Sequence, residues 1–370
     1  MNRTIILGGR EIIISALGQP IDAAVDRLHA AYFGQLPLPW EEFETAAQAF
    51  FDTTPANWSA HDAYFNSFTV IWRTILNAGN FEHAEHIWKR ALQPAQRWEQ
   101  ANQQGRIHKG TPYYFWSMTA LLRGHVDRGY LLIHQAVQED VITHQQQSPK
   151  TPGYALVSLD YDLVDQAFRQ WVVAQAEFLG RLLENYNTTY GRTLALRDIK
   201  RRFFDVPPSP ETVFLFTYTL ARLMQLTDVL NHVARNPFAG QLELNVLFDV
   251  TLVIDSAIKA KNAPKWQFID HAECLLNAAG PALTNAQLRD ISGLFKTNFD
   301  STLQAALNGK LSLQDGTLLD RVQSDVALAY GLRNYGAHNT GAASTVWNRF
   351  PELQQGLFRT LFTTVDYLYP

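Results

Sequence analysis

The chain has almost no cysteine. Cys274 is the only one in 370 residues, so neither an intrachain disulfide nor a cysteine-rich zinc site can form, and a reducing compartment fits best. An excess of positive charge is also missing. Lys and Arg number 31 against 35 Asp and Glu, a formal net charge of −4. That excludes broad coating of nucleic acid by charge alone and leaves room for a local basic site. Long apolar runs are absent as well. The opening MNRTIILGGREIIIS holds two short apolar runs split by Gly8-Gly9-Arg10-Glu11, too interrupted for a signal segment. Nothing later approaches the ~18 uninterrupted apolar residues of a membrane span. The expectation is a cytoplasmic protein with no membrane partner.

Several chemical signatures are lacking too. There is no glycine-rich phosphate loop, no Gly-x-Ser-x-Gly elbow and no Cys-His pair. Glu82-His83-Ala84-Glu85-His86 sets two histidines on one helix, but without the zincin pattern or a clear third ligand nearby. Solvated polar residues account for it better, as they do for His271-Ala272-Glu273, read as a surface or interface pair. The sequence therefore calls for no metal and no cofactor.

What is present is helical. Residues 4–15 read as a β-hairpin turned by Gly8-Gly9. From Pro20 onward apolar residues recur at three- and four-residue spacing, beginning with Ile21, Ala24, Val25 and Leu28. An internal echo follows: Leu76 to Leu92 aligns with Leu121 to Val137 at a constant offset of 45 residues, with Gly79 matching Gly124. Each unit is helix, glycine turn, amphipathic helix. Over roughly residues 60–145 the arrangement resembles tetratricopeptide-type helical hairpins, although the period is longer than the ~34 residues of that family. The resemblance implies a stacked face for a protein, peptide or small-nucleotide ligand.

Gln145 to Gly153 breaks the pattern, and a strong helix resumes over Leu163 to Glu184. Arg192, Arg197, Lys200, Arg201 and Arg202 then form the most basic run in the chain. It is either a solvated helix face or a strip that contacts a phosphate backbone. Val206-Pro207-Pro208-Ser209-Pro210 is the best candidate linker, which sets a helical-repeat domain at 1–206 and a second helical domain at 211–370. The fold class expected is all-α.

The second domain carries the one stretch with chemistry in it: Arg333-Asn334-Tyr335-Gly336-Ala337-His338. On an unbroken helix Arg333 and His338 would lie about 140° apart, since each residue advances ~100°. Asn334, Gly336, Asn339, Thr340 and Gly341 all weaken or end a helix, so the stretch reads as one built to stop inside the motif and let guanidinium and imidazole converge. Asn334 either bonds the imidazole or phosphate, or caps the helix end. Tyr335 reads as packing.

Arginine, a polar residue, three more residues and a histidine, at a helix end in an all-α domain, resemble the HEPN superfamily. Phe248 to Ile258, with Asp255 inside it, is similar to an early helix of that fold, more softly. The likeness covers about residues 211–370. It implies a helical bundle, a homodimer and a metal-independent endoribonuclease whose catalytic residues would be Arg333, Asn334 and His338, with RNA as substrate. A defence, toxin or stress-response setting comes from the resemblance alone. Some domains of this kind serve as non-catalytic dimerisation or ligand-binding units, and an adaptor is the alternative.

Overall fold

The computed structural model describes residues 3–7, 10–14, 16–103, 105–145, 147–205, 210–233, 236–261, 267–336 and 344–369. The expected Gly8-Gly9 turn, the 206–209 break and His338 lie outside them. The described chain is predominantly helical and all-α in class. Its one strand pair is β1 (Arg3–Leu7) antiparallel to β2 (Arg10–Ile14), with Leu7 opposite Arg10.

Two compact units divide the chain, Met1–Tyr154 and Ala155–Pro370. The first holds α1 (Ile21–Phe33), α2 (Trp40–Thr53), α3 (Trp58–Asn66), α4 (Thr69–Asn77), α5 (Phe81–Ala101), α6 (Gly110–Leu122) and α7 (Val126–His144). Local chemistry sets the ends. Asn57 and Asn80 cap α3 and α5 by accepting from the backbone N–H of Ala60 and His83. Gly79 and Gly124, each left-handed at φ +74° and +76°, turn α4 into α5 and α6 into α7. The two glycines at equivalent sequence positions therefore make equivalent turns. The first member of the first pair is split into α3 and α4, whereas α6 is continuous.

The core of this unit is aromatic. Phe43, Phe50, Phe51, Phe65 and Phe68 surround the fully buried Tyr64, whose hydroxyl donates to the Ala91 carbonyl at 3.0 Å. Trp72 donates to Thr119 at 2.9 Å and packs on Trp88, which Phe115 stacks upon. A buried hydroxyl or indole that keeps a partner avoids the desolvation cost that would otherwise offset its packing.

The short helix α8 (Pro152–Val157) contains the division. Beyond it come α9 (Arg169–Tyr190), α10 (Leu196–Ile199) running into a π-helical turn at Lys200–Phe204, α11 (Pro210–Leu230), α12 (Pro237–Lys261), α13 (Phe268–Ala279), α14 (Asn285–Thr297), α15 (Phe299–Leu307), α16 (Arg321–Tyr335), α17 (Ser344–Asn348) and α18 (Phe350–Leu368). By length and composition α11 is apolar enough to cross a membrane; its inner face packs on α9 and α12.

The observed division falls well before the expected boundary at residue 206, and side chains distant in sequence explain it. Tyr186 on α9 and Arg202 on the π turn both bond Asp366 of α18, at 3.0 and 3.2 Å. Tyr190 and Asn185 reach Asp325 and Arg359. These contacts hold α9 and the basic run to the second unit.

At the centre of that unit is α16, touched by α12, α13, α14, α15 and α18. Every residue from Ser324 to Leu332 is buried, on all sides of the helix. Small residues make that possible. At Gly331 a Cβ would stand 2.4 Å from the Phe295 ring, so α14 approaches closer than alanine would allow. One charge is buried with the rest: Asp325 accepts from Nε and Nη2 of Arg359, at 2.6 and 2.8 Å, and from the Tyr190 hydroxyl. A paired, bidentate arrangement is the form in which a buried carboxylate is tolerated.

Candidate functional site

Asp320 starts α16 as the cap in a capping box with Gln323. The helix then runs to Tyr335, with Gly336 still in right-handed helical geometry at φ −56°. Arg333, Asn334 and Tyr335 therefore stand on its last turn. The break expected within the six-residue stretch lies outside the described residues, which run to Gly336.

The Arg333 guanidinium lies 5.5 Å over the Phe248 ring, and its Nε is 3.5 Å from Oδ2 of Asp255. Both neighbours come from α12, one helical face apart by seven residues. The other carboxylate oxygen of Asp255 is 2.6 Å from Nδ1 of His271 on α13, a residue with no solvent exposure. A carboxylate only accepts, so Nδ1 carries the proton and donates. Three helices thus deliver one chain of contacts: His271 bonds Asp255, and Asp255 faces Arg333 as an ion pair without a hydrogen bond, beside the Phe248 ring. The arginine side chain stays one-third exposed. The closest approach of Asp255 is to Nε, the inner nitrogen, and not to the terminal fork that grips a phosphate.

Asn334 and Tyr335 are tied into the same end of the bundle. Burial pushes the Tyr330 hydroxyl above its ordinary range, and hydrogen bonds with Ser292 and Asn334 oppose that. The Tyr335 hydroxyl meets Ser292 of α14 at 2.6 Å. Asn334 thus stands beside the Tyr330 hydroxyl of its own helix.

The basic run is elsewhere in this unit, and much of its charge is answered internally. Lys200 pairs with Asp160, Arg201 with Asp198, and Arg202 with Asp366. Arg192 lies 3.7 Å from Asp366 and stacks on Tyr367. Arg197 is exposed. Of the residues the sequence placed at a surface or interface, His271 matters most. It is not a surface group, and its partner Asp255 lies sixteen residues earlier, on a different helix. The similarity around Phe248 and Asp255 was the one available signal.

No family model, no curated protein and no solved structure matches this chain.

Proposed function

We propose that the second unit is a HEPN-like, metal-independent endoribonuclease that acts as a homodimer in the cytoplasm. The observation that carries the reading is the placed Arg333: over the Phe248 ring, ion-paired at 3.5 Å with Asp255, and still partly exposed. A cation fixed in place before substrate arrives stabilises developing negative charge without reorganising.

The reaction is transphosphorylation. The ribose 2′-oxygen attacks the adjacent phosphorus, a P–O2′ bond forms and the P–O5′ bond breaks. A base takes the 2′-hydroxyl proton and an acid supplies one to the departing 5′-oxygen. Imidazole near neutral pH can do either. Each chain brings one His338, so base and acid come from two chains across a two-fold axis, and two arginines flank one phosphate. Asn334, on the same helical turn as Arg333, supports the site. The two glycine-turned hairpins of the first unit act as tandem tetratricopeptide-like units that bind a protein or small-nucleotide partner. Arg197 and the exposed Arg201 are the members of the basic run best suited to touch RNA.

A second reading is favoured by one contact. Asp255 offsets the charge of Arg333, as it would in an interaction module with no substrate phosphate to hold. Mixed dimers separate the two. Wild-type chains combined with the Arg333→Ala, His338→Ala double variant should cleave RNA less per wild-type chain than wild-type dimers do. Unimpaired cleavage per wild-type chain would contradict the composite site, and intact RNA with wild type alone would favour the adaptor.

A further inference from the structure

The first unit contains a cavity of ≈ 530 Å³ whose floor is made by His108, Asp62, Asp140 and His144. Asp62 comes from α3, His108 from the segment leading into α6, and Asp140 and His144 from α7. None of these residues takes part in the site on α16. His108 is buried, and its Nε2 is 3.4 Å from Oδ1 of Asp62 and 3.3 Å from Oδ1 of Asp140. Ligand atoms of Asp62, His108 and His144 all lie within 4.8 Å of one another.

The other ring nitrogen of His108 is engaged as well. Thr143 Oγ1 accepts from Arg106 at 2.9 Å and is also 2.9 Å from Nδ1 of His108. Thr143 Oγ1 satisfies both contacts either by accepting from Nδ1–H or by donating its own proton to Nδ1, and a metal on Nε2 selects the first. In the first of these tautomers Nε2 presents a lone pair toward two carboxylate oxygens. Three electron-rich atoms facing one another is unfavourable unless a cation sits among them. The His108–Asp62 spacing of 3.4 Å suits one, and His144 lies within reach of both. Bonds of about 2.0–2.1 Å to nitrogen and oxygen in a tetrahedron put ligand atoms about 3.3–3.4 Å apart.

The surroundings are fitted to the same end. The Thr111 hydroxyl donates to Oδ1 of Asp62 at 3.0 Å, and Thr143 with Arg106 orients the imidazole, which is how outer contacts steer metal ligands. Gly110 leaves the room required: a Cβ there would stand 2.3 Å from Oδ1 of Asp140 and 2.9 Å from His108 Cε1. Two imidazole nitrogens with carboxylate oxygen favour zinc and its first-row neighbours over magnesium or calcium, which take oxygen alone.

We propose that this cluster binds one divalent transition-metal ion of the zinc type. Asp62, His108 and His144 are its protein ligands, and Asp140 supplies the second negative charge that balances it. Three protein ligands leave a position open to the cavity, where Tyr114 and Phe115 form an aromatic wall over any small molecule that completes the coordination. The residues escaped the sequence reading because they lie far apart in the chain and match no short spacing.

Zinc itself is the probe. Full-length protein stripped with EDTA and dialysed is titrated with Zn²⁺ by calorimetry, and Co²⁺ replaces it for visible absorption. The expected result is one ion per chain, with the intense visible bands of four-coordinate cobalt. His144 is exposed at the end of α7, so His144→Ala should leave the fold intact by circular dichroism and weaken binding by at least ~100-fold, with Asp62→Asn acting alike. The His83→Ala, His86→Ala variant should bind as wild type. No stoichiometric binding by folded wild-type protein would overturn the proposal, and would mean that a proton on Nε2 separates the carboxylates instead. Binding unchanged by His144→Ala and Asp62→Asn would overturn it equally.

Discussion

His271 and Asp255 are joined by a 2.6 Å contact between Nδ1 and a carboxylate oxygen, part-buried between α13 and α12, and the other oxygen of Asp255 faces Arg333 at 3.5 Å. The arrangement ties the last turn of α16 to two helices that come much earlier in the chain. Asp255→Ala leaves the fully buried His271 donor without its acceptor. Such a loss costs about 1–3 kcal/mol, measurable by urea denaturation. It also frees Arg333 to move, so RNA cleavage should fall by roughly tenfold or more in kcat among molecules that remain folded. Asp255→Asn keeps an acceptor for His271 and should recover most of the stability and little of the activity. Equal activity in all three proteins would remove Asp255 from the site.

The Asp325–Arg359 pair predicts a larger effect on stability. Arg359→Ala strands a carboxylate in the core among α9, α16 and α18, and should cost about 3–5 kcal/mol. Replacing both residues with apolar ones of similar volume should cost much less. A thermal shift that is as large for the double as for the single variant would show that packing, not the unpaired charge, sets the loss.

Glycines inside helices make a prediction with two signs. Nothing lies within 4 Å of a Cβ added at Gly180 or Gly293, so Gly180→Ala and Gly293→Ala should each stabilise by about 0.5–1 kcal/mol through helix propensity. Gly331→Ala should destabilise by about 1–3 kcal/mol, because the added methyl meets the Phe295 ring at 2.4 Å. Denaturation midpoints of the three variants check the ordering.

His61 gives the pH dependence. Burial, together with the nearby His108 and Lys109 and against the Thr54 carbonyl, lowers it from 6.5 to about 4. Nε2 contacts that carbonyl at 2.7 Å, and Nδ1 accepts the His108 backbone N–H at 3.1 Å. A second proton would replace that acceptor with a donor. The unfolded chain takes up the proton first as pH falls, so the stability contribution is complete above 6.5 and is lost down to about 4, on the order of 3 kcal/mol in all. Urea denaturation between pH 7 and 4.5 should show a steeper fall for wild type than for His61→Gln. Parallel slopes would contradict the assignment.

Much of this architecture can be read along the chain, and some cannot. The helices of both units follow from apolar spacing and from Gly79 and Gly124, and α16 with Arg333 on its last turn follows from a continuous apolar stretch. Periodicity says which face is inward but not which helix it meets. That is why Asp255 and His271 were not recognised as one unit with Arg333, and why Asp366, close to the end of the chain, was not foreseen as the partner of Arg202. The same distance in sequence hid Asp62, His108 and His144. The division between Tyr154 and Ala155 was missed for a related reason: proline and glycine mark breaks in the chain, whereas units are set by what packs together afterwards.

The most direct measurement is cleavage of single-stranded RNA by the full chain in excess EDTA, with the product ends identified. The account predicts 2′,3′-cyclic phosphate ends from wild type and none from a folded His338→Ala variant, while Arg333→Ala binds RNA more weakly and cuts at least ~100-fold more slowly. RNA left intact by wild type, or cut equally well by His338→Ala, would contradict it.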